Sequence, residues 1–398
     1  MGPVAAIDQD FGRIVAASPG APLAHVRIFD SFAETEAIWR GLEAAGELAT
    51  PFQRYDFIAA WQRHVGARIG VKPCPIVVCD DKERAVGLLP LVLRSVGGAT
   101  VASFPGGKHV TFNMPVWRRD FAASATAECM QTLPQLIAQA DPSIDALALT
   151  RQPEQWDGLS NPMAMLPRQA AVDECPVLRL STRPAAKRIG KSFRKRLNQK
   201  ERRLEAEAPG LRYTVAASAA DAKRLLDDFY LTKPQRLAAL GLANVFSEPG
   251  TEQFLRDAAV KGLTEQRPLI EIHALECDDE VLAIFAGAGD SRHFSMMFNS
   301  YTMSSRARYS PGLILIRNIV DRCADLGFNA IDIGTGADEY KLLFCKEREP
   351  LFDSFLPITA RGQAVALWQS TEARAKRLIK RSPLAMGAFN RLRRTLRL

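Results

Sequence analysis

The order helix, strand, acidic turn, strand occurs twice in this chain. In the first half, helical stretches over Phe32 to Ala45 and Tyr55 to His64 lead into the strand Pro75 to Cys79. Asp80-Asp81-Lys82-Glu83 turns the chain into a second strand, Ala85 to Leu93. In the second half, a helix over Glu252 to Gly262 precedes Leu269 to Cys277, Asp278-Asp279-Glu280 turns the chain, and Val281 to Ala288 follows. Each half then adds a helix and a strand centred on Ile-Asp, at Ile144-Asp145 and at Ile331-Asp332. A single acidic hairpin turn is common, but several matches in one order point to an internal duplication. Pro153, Pro162, Pro167 and Pro176 place the boundary near 151–182. The expected organisation is a loosely ordered N-terminus (1–22), an N-terminal α/β domain (23–165), a C-terminal domain (180–360) and a basic amphipathic tail (373–398).

A chain of 398 residues is long for one core, which agrees with two domains. No run approaches the roughly 20 apolar residues of a membrane-spanning helix. Met1-Gly2-Pro3-Val4 lacks a basic segment followed by an apolar one, so the expected location is the cytoplasm. Seven cysteines form no C-x-x-C pair and five histidines show no ligand spacing, so no metal is expected. The net charge of +8 is concentrated at the end: Ala373 to Leu398 holds nine Lys or Arg residues and no acid. Basic residues interleaved with Leu, Ile and Phe suit a helix on an anionic membrane surface; a solvated terminus is the plainer alternative.

Lys187 to Glu207 is densely basic, with Ile189, Phe193, Leu197 and Leu204 at near-helical spacing. Such a face suits an anionic partner: cofactor phosphates, an RNA backbone or lipid head groups. A surface helix that merely solubilises is the other reading. No aromatic interleaving or RNA-binding signature accompanies it.

The densest chemistry lies between Arg308 and Lys341. Arg308-Tyr309-Ser310-Pro311-Gly312 opens an apolar helix, with Ser expected at the N-cap and Pro at the first helical position, and such a helix start is an anion site. Gly327 closes the helix, the strand Phe328 to Ile333 follows, and Gly334-Thr335-Gly336-Ala337-Asp338-Glu339-Tyr340-Lys341 comes next. The D-x-G-x-G after an apolar strand also looks like the nucleotide turn of class I methyltransferases. There it ends the first strand; here too little chain remains for the rest of such a sheet.

The basic helix from Lys191, the strand Phe294 to Phe298, the Tyr309-Ser310-Pro311-Gly312 start, and Asp332-x-Gly334-x-Gly336 ending in Tyr340-Lys341 together resemble the GNAT superfamily. The resemblance is to its CelD-type and FemAB-type branch, with a BioF-like acetyltransferase domain, and is strongest over 180–350. It implies two GNAT-like units, mixed central sheets flanked by helices, with the active pocket in the C-terminal one. It implies an acyltransferase using acyl-CoA, acetyl-CoA or longer, to acylate an amine or a saccharide hydroxyl in polysaccharide or cell-envelope synthesis. The basic tail would then touch the anionic inner membrane. On this reading the pyrophosphate sits on Arg308, Tyr309, Ser310, Pro311, Gly312 and Leu313, and Gly334 and Gly336 complete the donor site. Asp332 acts as base or amine-positioning group, Tyr340 protonates the leaving thiolate, and Lys341 holds an acidic group. A single glycine, Gly312, departs from the superfamily's usual Q/R-x-x-G-x-G/A. That leaves an aminoacyl-tRNA-dependent transferase and a non-catalytic GNAT-like scaffold as alternatives.

Overall fold

The protein is described here by a computed structural model that covers residues 13–16, 23–180, 189–264, 268–290, 292–336 and 339–381. In the first half, β1 (Arg13–Ala16), β2 (His25–Ile28), β3 (Lys72–Cys79), β4 (Ala85–Val96) and β5 (Ala99–Ser103) form an antiparallel meander, and β6 (Val116–Trp117) adds to β4. Helices α1 (Glu36–Ala44) and α2 (Tyr55–Trp61) separate β2 from β3. Asp80 closes the β3–β4 hairpin: its Oδ1 accepts from the amides of Lys82 and Arg84 at 3.0 and 2.9 Å. After α3 (Arg119–Ser124) and α4 (Ala127–Ala140), β7 (Ala146–Pro153) pairs parallel to β5. Parallel pairing requires a crossover, and α4 supplies it, capped by Thr126 on the Cys129 amide. A short hairpin, β8 (Gln155–Trp156) and β9 (Leu159–Ser160), then β10 (Gln169–Ala170) and β11 (Cys175–Arg179), lead into the second half.

That half repeats the pattern. Helix α5 (Lys191–Glu207) precedes β12 (Arg212–Val215), and helices α6 (Ala219–Ala239) and α7 (Thr251–Val260) precede β13 (Glu271–Glu276), β14 (Val281–Gly289) and β15 (His293–Tyr301). Crossover helix α8 (Pro311–Asp325) brings β16 (Ala330–Asp332) parallel to β15. Helix α9 (Glu339–Phe344), β17 (Glu347–Glu349), β18 (Leu351–Pro357) and α10 (Ala360–Arg381) follow. The sheet orders are β1-β2-β3-β4-β5-β7-β18-β10 and β12-β13-β14-β15-β16-β11-β17. Each has one parallel step in an otherwise antiparallel sheet. The fold is α/β, two mixed sheets flanked by helices.

The halves exchange strands. β11 leaves the first half and inserts between β16 and β17 of the second sheet, antiparallel to both. β18 returns from the second half to lie between β7 and β10 of the first, again antiparallel to both. The expected limits of 23–165 and 180–360 therefore need correction: residues 351–357 complete the first sheet, and 175–179 complete the second. A second correction concerns the Ile-Asp match. Asp145 precedes β7 and accepts from the Thr100 amide at 2.8 Å, whereas Asp332 is the last residue of β16, so the two are not equivalent.

One core runs through both halves, joining Ile76, Leu89, Phe112 and Trp156 to Phe254, Ile272 and Phe298. Phe57 of α2 meets Phe254 of α7 edge-on at 5.2 Å. A second core, around Phe193, Leu197, Phe294, Ile316 and Ile331, lies where α5 and α8 cover the other face of the second sheet. The tail expected from Ala373 is part of α10, which starts at Ala360 and packs on β18, β7 and β5. Several of its basic residues are tied to the first half: Lys380 to Asp173 at 2.7 Å and Arg381 to Glu174 at 2.5 Å. Residues 382–398 of that expectation lie outside the described residues. Most of the expected loose N-terminus does too, but Arg13–Ala16 pairs with β2. No helix among the described residues is long and apolar enough to cross a membrane.

Candidate active site

Strands β15 and β16 pair over three positions only, His293 with Ala330, Phe294 with Ile331 and Ser295 with Asp332. Beyond them β15 continues to Tyr301 with β14 alone on its flank, and β16 ends. The chain then turns at Gly334, whose φ of +74° suits glycine, and a Cβ there would stand 3.3 Å from the Met296 carbonyl. The turn therefore hugs the edge from which β16 has departed.

Asp332 sits at the apex of this splay, fully buried. Its Oδ1 accepts from the Gly334 amide at 2.8 Å and its Oδ2 lies 2.9 Å from Nε2 of His293. The backbone of His293 is fixed in turn, its amide donating to Asp290 Oδ1 at 2.7 Å. The imidazole stacks on Trp156, centroids 4.6 Å apart, and meets the edge of Phe112 at 5.6 Å. Both aromatic residues come from the first half, so the dyad is enclosed by the partner unit. Beside it, the Ser295 hydroxyl is buried with no hydrogen-bond partner among the described residues. Burial, with the Asp332 carboxylate nearby, drives the Cys175 thiol well above its ordinary range, so it stays protonated and inert.

Lys341, in α9, is buried and donates to the carbonyls of Thr335 at 2.6 Å and Gly334 at 3.3 Å. It braces the glycine turn from behind. Tyr340 is half-buried and packs against the second core. Asp332, Gly334, Gly336 and Lys341 are thus brought together, and Asp338 lies outside the described residues.

The start of α8 differs from expectation in one respect. Ser310 stands at the N-cap position in a left-handed conformation, φ 57°, and its side chain does not cap the helix. Its hydroxyl instead accepts from Lys200 of α5 at 2.7 Å, and its carbonyl takes the amides of Leu313 and Ile314 at 3.0 and 3.2 Å. The positive character of this helix end comes from the Lys200 ammonium as well as from the helix dipole. Arg308 and Tyr309 both bind Glu207, at the end of α5, the guanidinium at 2.7 Å. At Gly312 a Cβ would make ordinary contacts, with the Tyr301 ring at 3.6 Å and the Phe285 ring at 3.9 Å, so a side chain here would lie against these two aromatics. Elsewhere α5 is held to α8 by ion pairs, Arg194 with Asp321 at 2.6 Å and Arg317 with Glu201 at 2.6 Å. A cleft of about 420 Å³ beside these pairs is lined by Glu201, Glu205, Asp321 and Asp325 among others, at the far end of α8 from Pro311. Its carboxylates disfavour phosphate.

Residues 191–342 match the family model described as the acetyltransferase (GNAT) domain. Over that segment the chain is similar to a GNAT acetyltransferase domain. The matched segment runs from the start of α5 to α9 and so contains the whole splay. No curated protein matches this chain. Among solved structures, FemX aligns with a TM-score of 0.55 at 10% identity, over 85% of this chain and 100% of that one. The C-terminal domain of a putative lysylphosphatidylglycerol synthetase from Agrobacterium fabrum aligns at 0.52, with 11% identity, over 86% of this chain and 97% of that one. A conserved protein of unknown function from Bacteroides thetaiotaomicron aligns at 0.50, with 13% identity, over 83% and 99%. At such identities the likeness is one of fold. It spans most of this chain, both halves included.

His293, Trp156, Phe112 and Ser295 escaped the sequence reading as site residues, whereas Lys200 belongs to the basic face already expected to meet cofactor phosphates. His293 and Asp332 are separated by a whole crossover, and Trp156 and Phe112 belong to the other half. No local spacing joins them.

Proposed function

We propose that the protein transfers an acyl group from acyl-CoA to an amine or a sugar hydroxyl. The observation that carries this reading is the buried Asp332–His293 dyad at the apex of the β15–β16 splay, inside the segment that matches the GNAT family. The residues present fit a CoA donor: Lys200 of α5, bonded to Ser310 at the start of α8, offers a cation to phosphate, and glycine at position 312 keeps side-chain bulk away from that helix start. The donor, when bound, supplies a thioester carbonyl for attack. Asp332 holds the imidazole with its Nε2 proton directed at Oδ2, which leaves Nδ1 as the proton acceptor for the acceptor's amine or hydroxyl. The Ser295 hydroxyl is available to donate to an oxyanion, and Tyr340 to return a proton to sulfur. Lys341 acts by holding the Gly334–Gly336 turn.

For the acceptor, cell-envelope or polysaccharide material remains our reading. Exposed Leu367, Trp368 and Leu378 on α10, beside Arg374 and Arg377, support contact with an anionic membrane surface from the cytoplasmic side. Calorimetry with CoA, acetyl-CoA and a long-chain acyl-CoA tests the donor. Binding that is lost in Gly312→Trp and kept in His293→Ala is the expected result. No CoA binding, with tRNA bound instead, would overturn it in favour of an aminoacyl-tRNA donor. Neither ligand binding would leave the scaffold reading.

A further inference from the structure

Beyond Ser295, β15 has lost its β16 neighbour, and the second half of α6 lies along it. Three consecutive residues of the strand are held from this helix. Lys233 Nζ donates to the Asn299 carbonyl at 2.7 Å, the Thr232 and Ser300 hydroxyls meet at 2.8 Å, and Arg236 donates to the Tyr301 carbonyl at 3.1 Å. The guanidinium also lies over the Tyr301 ring, 3.1 Å from its centroid. The same ring is the nearest neighbour that a Cβ at Gly312, at the start of α8, would meet, at 3.6 Å. Tyr301 thus touches both the donor-side helix start and Arg236, one of two neighbouring cations on α6.

These two cations have no counterion. Neither Lys233 nor Arg236 has a carboxylate within ion-pair distance among the described residues, although most other basic residues of this half do. The charged group that acts on Lys233 is Arg236, itself positive. An ammonium has three donors, and a single carbonyl uses one of them. The Nε of Arg236 is buried with no partner among the described residues. Phe246 walls Lys233, its ring 5.6 Å from Nζ, and the same ring also meets the buried His109 of the first half, whose Nε2 has no partner among the described residues. The aromatic faces attract these cations, but burial and mutual repulsion both oppose the pair, and an anion would relieve both. Burial accordingly pushes the Lys233 ammonium down to about 8, with Arg236 adding to the effect.

We propose that Lys233 and Arg236 form an oxyanion-binding subsite that receives a carboxylate or phosphate of the acyl acceptor, with Tyr301 touching both this subsite and the donor-side helix start. The acceptor assignment rests on the acyl-transfer reading; the anion site does not.

The test is trace acetylation of the full chain with acetic anhydride, read residue by residue by peptide mass spectrometry. It is run with inorganic phosphate, with succinate, or with sodium chloride at matched ionic strength. Phosphate or succinate should protect Lys233 about tenfold at ten times its dissociation constant, while the exposed Lys82 is unaffected. Protection by one anion and not the other identifies the group. Equal protection by chloride, or none by either anion, overturns the proposal. Lys233→Met and Arg236→Gln should each lose the calorimetric signal for the protecting anion and bind acetyl-CoA within about twofold of the parent. A tenfold loss of acetyl-CoA affinity in both would assign the cations to the donor and overturn the acceptor assignment. If the parent binds no CoA at all while Lys233 is still protected, the donor reading fails and the anion site stands.

Discussion

Asp332 Oδ2 and His293 Nε2 are 2.9 Å apart in a setting where neither side chain meets bulk water. The carboxylate that the sequence singles out is therefore paired with an imidazole. It also holds the amide of Gly334, the residue that shapes the splay. Removing it breaks two bonds in a buried site and leaves the imidazole without its partner. Asp332→Ala should lower the unfolding free energy by about 2–4 kcal/mol, and Asp332→Asn by less, since an amide oxygen still receives the Gly334 amide. Urea unfolding measures both, and equal stabilities would contradict the buried pairing.

The strand exchange predicts interdependence of the halves. A chain ending at Pro350 loses β18 and α10, exposing the unpaired edges of β7 and β10. Such edges favour association between chains. Expressed alone, it should be insoluble or should lack the cooperative unfolding of the intact protein. A soluble, cooperatively folding 1–350 product would mean that the first sheet does not depend on β18.

Helix α10 is seated closely at Gly362. A Cβ at this position would fall 1.6 Å from the Asp145 carbonyl, a backbone atom that cannot swing away. Gly362→Ala should lose about 2–4 kcal/mol by forcing the helix off the first sheet. Leu367→Ala, at an exposed position of the same helix, should change stability by under about 0.5 kcal/mol. Thermal unfolding and limited proteolysis within 360–381 distinguish the two.

Burial raises the Asp353 carboxyl to about 6, opposed by its bond from the Arg151 amide. A folded value above the unfolded one means that folding takes up a proton between about pH 4 and 6. Stability from this group is thus highest at low pH and is lost as pH rises through 6. Relative to Asp353→Asn, the parent should lose about 2–3 kcal/mol between pH 4 and 7. Urea unfolding across that range checks it, and parallel curves would refute the shift.

Much of the local structure was legible in the sequence because it depends on near neighbours. The turn at Asp80, the helix opened by Pro311 and closed by Gly327, and the apolar runs of β3, β4, β13 and β14 all lie where periodicity and turn chemistry place them. The repeated order of those elements announced two similar units. Helix α6 was missed: Pro234 lies inside it and reads locally as a stop. The role expected for Ser310 as a side-chain cap failed because Lys200, far away in sequence, takes its hydroxyl.

The sequence by itself determined the hairpin strands on either side of the two acidic turns, the crossover helices and the concentration of chemistry from Arg308 to Lys341. Only the tertiary structure decided which sheet each strand joins. Hydrogen-bonding edges are alike from one strand to the next, so nothing within β11 or β18 records that its place is in the other half's sheet. The same limit hid the dyad and its cover. His293 and Asp332 become neighbours through a parallel pairing three residues long, and Trp156 and Phe112 reach them across the interface between the halves. Contacts of that kind follow from how whole elements pack, which no local spacing encodes.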